Sequence, residues 1–207
     1  MFFTNQGFKR LIKEAYKTTL RLANDGKGII AAGTYWIMWI DRETIPKEKL
    51  AAIIEVAGML PDKGEQVWVQ QEGNQMELPN HKVFEILDRA YSADKLLTDT
   101  GIILQPGAYQ IHLFQDHIYT REIAAVSEKI IKIIDRAAVG RDEDDLQGPY
   151  LGRNGTLYWR TDQCVFEVMP YETKECEELI KHLEVVKVEN GKAEVPEGDE
   201  KEETQEA

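Results

Sequence analysis

Apolar residues recur at helical spacing near the start of the chain. Phe8, Leu11, Ile12, Ala15 and Tyr16 line one side of a predicted amphipathic helix. After it come Leu20–Asn24, a turn at Asp25-Gly26-Lys27-Gly28, and a strand-like run through Ile29-Ile30 and Tyr35–Ile40. Asp41 to Thr44 reads as a connector, and Pro46 stands where a second helix can begin. That helix presents Leu50, Ile53, Ile54 and Ala57 on one face and stops near Gly58. Val67-Trp68-Val69 and Met76-Glu77-Leu78 flank the polar Glu72-Gly73-Asn74 and read as a hairpin ending at Pro79.

The pattern then starts again. Val83, Ile86, Leu87, Ala90 and Tyr91 stand 75 residues after the apolar positions of the first helix. Gly28-Ile29-Ile30 through Gly33 to Tyr35-Trp36-Ile37 is answered by Gly101-Ile102-Ile103 through Gly107 to Tyr109-Gln110-Ile111, with one residue inserted before the second glycine. A further helix is predicted through Ile123, Val126, Ile130, Ile133, Ile134 and Ala137. Beyond the acidic loop Asp142–Asp145 lie a hairpin, Leu157–Arg160 with Cys164–Met169, and a short helix through Cys176, Leu179, Ile180 and Leu183.

Self-similarity at a fixed period marks repeated architecture. The expected fold is therefore α+β: an internally duplicated helix–hairpin–helix–hairpin unit with mainly antiparallel sheet and helices packed on one face. Residues 1–80 form the first unit, 81–187 the second, and 188–207 a tail. The tail is Glu, Gly, Lys, Pro and Thr with almost no apolar anchor, so it is expected to be disordered.

Charge changes this picture. The net charge of the 207 residues is −12. From Glu189 to Ala207 eight acids face two lysines, so tail and body each carry −6. Within the body, residues 1–32 hold six basic side chains against Glu14 and Asp25. A hydrophobic fraction of 43% supports a sizeable core, and no apolar run approaches the ~20 residues that span a bilayer. The N-terminus lacks a basic region followed by an apolar one, and the two cysteines show neither a disulfide framework nor metal-ligand spacing. A cytoplasmic protein without a membrane partner is the expectation.

Candidate chemistry is sparse. Lys9, Lys13 and Lys17 recur at i, i+4, i+8 on the polar side of the first helix, with Arg10 beside them. Lys129, Lys132 and Arg136 fall at i, i+3, i+7 on a later one. Such stripes are either a solvated charged face or cations that contact backbone phosphates without reading sequence. An acidic tail can compete with nucleic acid for them.

The central strands suggest a second surface. Tyr35, Ile37 and Trp39 match Tyr109, Ile111 and Leu113 as the expected core face. On the opposite face the second copy carries Gln110 and His112 but the first carries Trp36 and Met38. That face is either covered by packing or serves protein interaction or self-association. No nucleophile is paired with a base and no phosphate-binding loop is present, so neither a catalytic residue nor a cofactor is expected. His112 and His117 do not make a metal site. A hydrolase with no assigned site is the remaining alternative to a binding protein. In architecture alone, duplicated helix-and-hairpin units with basic helices are similar to the modular build of sliding-clamp and TATA-box-binding folds. The resemblance implies a non-catalytic accessory role in nucleic-acid metabolism.

Overall fold

In a computed structural model of the protein, residues 1–116, 118, 120–134, 146–171, 174–189 and 192–194 are described. The chain opens with helix α1 (Asn5–Tyr16), strands β1 (Arg21–Asn24), β2 (Gly28–Ala32) and β3 (Trp36–Asp41), and helix α2 (Lys47–Ala57). Next come β4 (Gln66–Trp68), β5 (Gln75–Glu77), α3 (His81–Phe84), α4 (Ile86–Ser92), β6 (Lys95–Leu96), β7 (Thr98–Leu104) and β8 (Ile111–Gln115). Then follow β9 (Ile123–Ser127), α5 (Glu128–Ile131), β10 (Gln147–Leu151), β11 (Leu157–Thr161), β12 (Cys164–Val168), α6 (Lys174–Leu183), β13 (Lys187–Glu189) and β14 (Lys192–Glu194).

Local chemistry sets several of these boundaries. Thr4 caps α1 by accepting a hydrogen bond from the Gly7 amide at 3.0 Å, satisfying a donor the helix cannot. α2 begins after Pro46, whose missing N–H costs nothing there, and ends at Gly58 with φ +73°. Between β1 and β2, Asp25 Oδ1 accepts from the amides of Lys27 and Gly28, and Gly26 takes the left-handed φ of +91° that closes the turn.

Nine strands form one sheet in the order β5-β4-β1-β2-β3-β12-β11-β10-β6. Its middle seam is β3 on β12, with Met38 opposite Phe166 and Ile37 opposite Glu167, so strands from both halves of the chain share one sheet. A second sheet has the order β7-β8-β9, and β13 pairs with β14. Every strand pair among the described residues is antiparallel.

The molecule is mixed α and β, but its helices do not keep to one face. α1 and α2 bury Phe8, Leu11, Ile12, Ala52 and Ile53 in a core that also holds Met38, Ile40 and Phe166 from the large sheet and Phe114 and Val126 from the small one. α3 and α4 put Val83, Ile86 and Ala90 on the opposite face, against Ala23, Ile30, Trp39 and Val165. Two-sided cover is required because every residue of β2 and β12 is buried, so neither strand has a wet face. The third cluster joins Ile111, Leu113 and Ala125 of the small sheet to Ile180 and Leu183 of α6.

Three further expectations from sequence are corrected. The helix expected from Ile123 is a strand up to Ser127, paired residue for residue with β8, and only Glu128–Ile131 is helical. The short apolar run Ile123–Val126 is compatible with either element, and as a strand it pairs with β8 and serves two clusters, Ala124 and Val126 in one and Ile123 and Ala125 in the other. Ala137 lies outside the described residues. Tyr35 does not join the core face: its side chain is 66% exposed, as is Tyr109 at 51%. The tail is not wholly without structure, since Val188 is fully buried and β13–β14 forms a hairpin. Residues 195–207 lie outside the described residues. No helix among the described residues is long and apolar enough to cross a membrane.

Candidate nucleic-acid interface

The basic residues of α1 and α5, read from two distant parts of the sequence, meet. α1 turns Phe8, Leu11, Ile12 and Ala15 inward, which leaves Lys9, Arg10, Lys13 and Lys17 exposed on its other side. The segment at the C-terminal end of α5 docks on the start of α1. Thr4 N donates to Ile133 O at 3.0 Å, and Phe3 forms an antiparallel bridge with Ile134. Gly7 allows this approach, because a Cβ there would stand 2.8 Å from the Ile133 side chain. Arg10 Nη2 then reaches Lys129 O at 3.4 Å, tying the polar surface of one helix to the other. Lys129 and Lys132 are both exposed. Arg136, the last member of the second stripe, lies outside the described residues.

Acids temper this surface. Lys13 Nζ pairs with Glu55 Oε1 of α2 at 2.8 Å. That hydrogen bond and the Lys13 charge hold the Glu55 carboxyl below its ordinary value, with Lys9 adding to the field. Lys132 Nζ pairs with Glu128 Oε2 at 2.9 Å, and this contact, with His112 at 3.8 Å from the other oxygen, lowers Glu128. Gln110, in the orientation its neighbours require, donates to the same carboxylate. Lys9, Lys17 and Lys129 form no ion pair among the described residues. The resulting surface is one of exposed cations interleaved with paired ones, and solvent reaches all of them. It can hold phosphate oxygens by charge.

Trp36 and Met38 are not an interaction surface. They are 6% and 0% exposed and face the core under α1 and α2, with the Trp36 ring 6.5 Å from that of Phe166. The packing alternative accounts for both, because the sheet face carrying them is the one those helices cover.

The structure also holds groups that the sequence reading passed over. Arg89 Nη2 of α4 donates to Glu167 Oε2 of β12 at 2.6 Å, and the Glu167 side chain is only 6% exposed. Burial pushes the Glu167 carboxyl above its ordinary value, opposed by the Arg89 charge. Glu167 lines a cavity of about 500 Å³ with Arg21, Trp36, Glu77, Lys82 and Met169. Glu77 in turn accepts from Arg21 Nε at 2.9 Å and Gln66 Nε2 at 2.7 Å. A signal for the buried pair was present: Glu167 is a lone acid in the otherwise apolar strand Cys164-Val165-Phe166-Glu167-Val168. Cys164 is fully buried, and burial pushes its thiol far up, away from the thiolate that nucleophilic chemistry needs. Among the described residues no three His, Cys, Asp or Glu side chains gather as a metal site.

No family model matches the chain, and no curated protein matches it. A solved structure from Eubacterium rectale, of a protein assigned as a DNA polymerase III beta subunit, aligns with 85% of this chain at 10% identity and a TM-score of 0.36. The chain spans 65% of the length of that structure.

Proposed function

We propose that this is a non-catalytic binding protein that acts in nucleic-acid metabolism, holding backbone phosphates on the face shared by α1 and α5. The observation that carries the reading is the hydrogen bond from Arg10 to the Lys129 carbonyl, which brings the basic residues of α1 beside Lys129 on an acidic protein. Lys9, Arg10, Lys17 and Lys129 are the principal contacts. Lys13 and Lys132 join them by exchanging Glu55 and Glu128 for phosphate, and Arg136 is a further proposed contact. Phosphate contacts fix position without reading bases, so binding is sequence-independent and falls with salt. The protein works in the cytoplasm, and its two halves, 1–80 and 81–187, descend from one duplicated unit.

The test is fluorescence anisotropy on a labelled duplex across a range of salt. The variant carrying Lys9→Gln, Lys17→Gln and Lys129→Gln should bind more weakly, with the slope of log K against log salt reduced by about 1 for each lost contact. An unchanged slope in the variant, or no binding by the parent protein at low salt, overturns the reading.

A further inference from the structure

The cavity between the large sheet and α3 has the size, lining and charge of a ligand site. We propose that it takes a small organic anion, a carboxylate or phosphate group on a compact apolar body, held by Arg21 and Lys82. α1 packs on the opposite face of the sheet, so this site is independent of the reading of the α1–α5 surface.

The cavity follows from the sheet register. Arg21, Ala32, Ile37 and Glu167 are direct partners on the four neighbouring strands β1, β2, β3 and β12. Directly paired residues project from the same face, so the four make one row across three inter-strand gaps, roughly 14 Å. The ends of this row are charged and its middle is apolar. Ala32 is its smallest member, and although buried it packs in neither of the two clusters that flank the sheet. The space above its short side chain belongs to the cavity of about 500 Å³, a volume in the range of small-molecule sites. α3 adds Lys82 and Val83 to the lining, and its start is fixed by Asn80 N donating to Gln66 Oε1 at 3.1 Å.

Charge selects the ligand. Both acids of the cavity are supplied with donors. Glu167 Oε2 accepts from Arg89 Nη2 at 2.6 Å, and Glu77 Oε2 accepts from Arg21 Nε at 2.9 Å and Gln66 Nε2 at 2.7 Å. The cations are not spent in the same way. Arg21 uses Nε alone, and its Nη groups donate no hydrogen bond among the described residues. Its guanidinium is steadied over the Trp68 ring, 5.3 Å from the centroid. Lys82 forms no ion pair among the described residues. The remaining donors are therefore cationic, and a guanidinium fork suits carboxylate and phosphate alike. Ile37, Val83 and Met169 line the same cavity and give an apolar body attached to that anion a surface to cover.

Amide NMR of the whole protein, titrated with 3-phenylpropionate, phenyl phosphate and the uncharged 3-phenylpropanamide, tests the site without nucleic acid. The anions should give saturable shifts at residues 32–37, 77–83 and 167–169. The uncharged amide should bind about 10-fold more weakly. Tighter binding of one anion than the other supports the site and identifies its headgroup. Lys82→Gln, a change at an exposed residue, should weaken both anions by about 3- to 10-fold while the urea midpoint stays that of the parent. Absence of saturable shifts with both anions, equal binding of the uncharged amide, or unchanged affinity in Lys82→Gln overturns the proposal. Shifts confined to residues 9–17 and 129–132 also overturn it, and they would favour the α1–α5 surface as the anion site instead.

Discussion

Two hairpins built on the same glycine, isoleucine and tyrosine pattern end up in very different surroundings. β2 and β3 lie in the middle of the nine-stranded sheet, covered by α1 and α2 on one side and by α3 and α4 on the other. β7 and β8 belong to a three-stranded sheet in which β7 is an edge, and Ile103 is half exposed there. The positions that differ between them follow that contrast. Met38 sits between Ala31 and Phe166 and is sealed in the core. His112 sits between Ile103 and Val126, within reach of the carboxylate of Glu128 on the cationic surface. A strand's chemistry is thus set less by its own pattern than by how many neighbours the sheet gives it.

The largest effect that should sharpen this contrast is at the central seam. Arg89→Met leaves the carboxylate of Glu167, opposite Ile37, buried without its guanidinium, and should cost about 3–5 kcal/mol in urea unfolding. Glu128→Gln beside β8 should cost far less, because solvent replaces the lost partner. Comparable losses in the two variants would dissolve the contrast. Next comes the strand interior. Met38→Ala should cost about 2–5 kcal/mol through the cavity it opens, whereas Ile103→Ala, half exposed on an edge, should stay within about 1 kcal/mol. The smallest effect concerns the paired tyrosines. Tyr35→Ala should change stability by no more than about 0.5 kcal/mol. Tyr109, with its ring 6.0 Å from that of Tyr171, should lose about 0.5–1 kcal/mol on the same substitution. A larger loss at Tyr35 would mean that the outer end of β3 is buttressed by something other than solvent.

Much of the element order was readable from periodicity. The first two helices, the hairpin at 66–77 and the closing hairpin of β11 and β12 lie where alternation, Pro46, Gly58 and the Asp25–Gly28 turn put them. The segment from Ile123 was misread because its short apolar run, Ile123 to Val126, is compatible with a helix and a buried strand alike. Only the register with β8 separates the two. The outward side of α1 was legible as well, since an amphipathic helix with one apolar stripe has one way to face a core. The partnership of α1 with α5 was not. Residues 10 and 129 are joined by a bridge at Phe3–Ile134 and a gap at Gly7, and neither contact leaves a mark on local spacing.

By itself, then, the amino-acid sequence determined most of the local elements, the charge carried by each segment and the acidic character of the last residues. These depend on neighbours three or four positions away, or on composition. The tertiary structure alone decided that the sheet is covered on both faces, that Trp36 and Met38 are core, that Arg89 finds Glu167, and that Arg10 of α1 reaches Lys129 of α5. Each of these is a contact between residues far apart in the chain. Its free energy depends on packing and desolvation that only the assembled fold supplies.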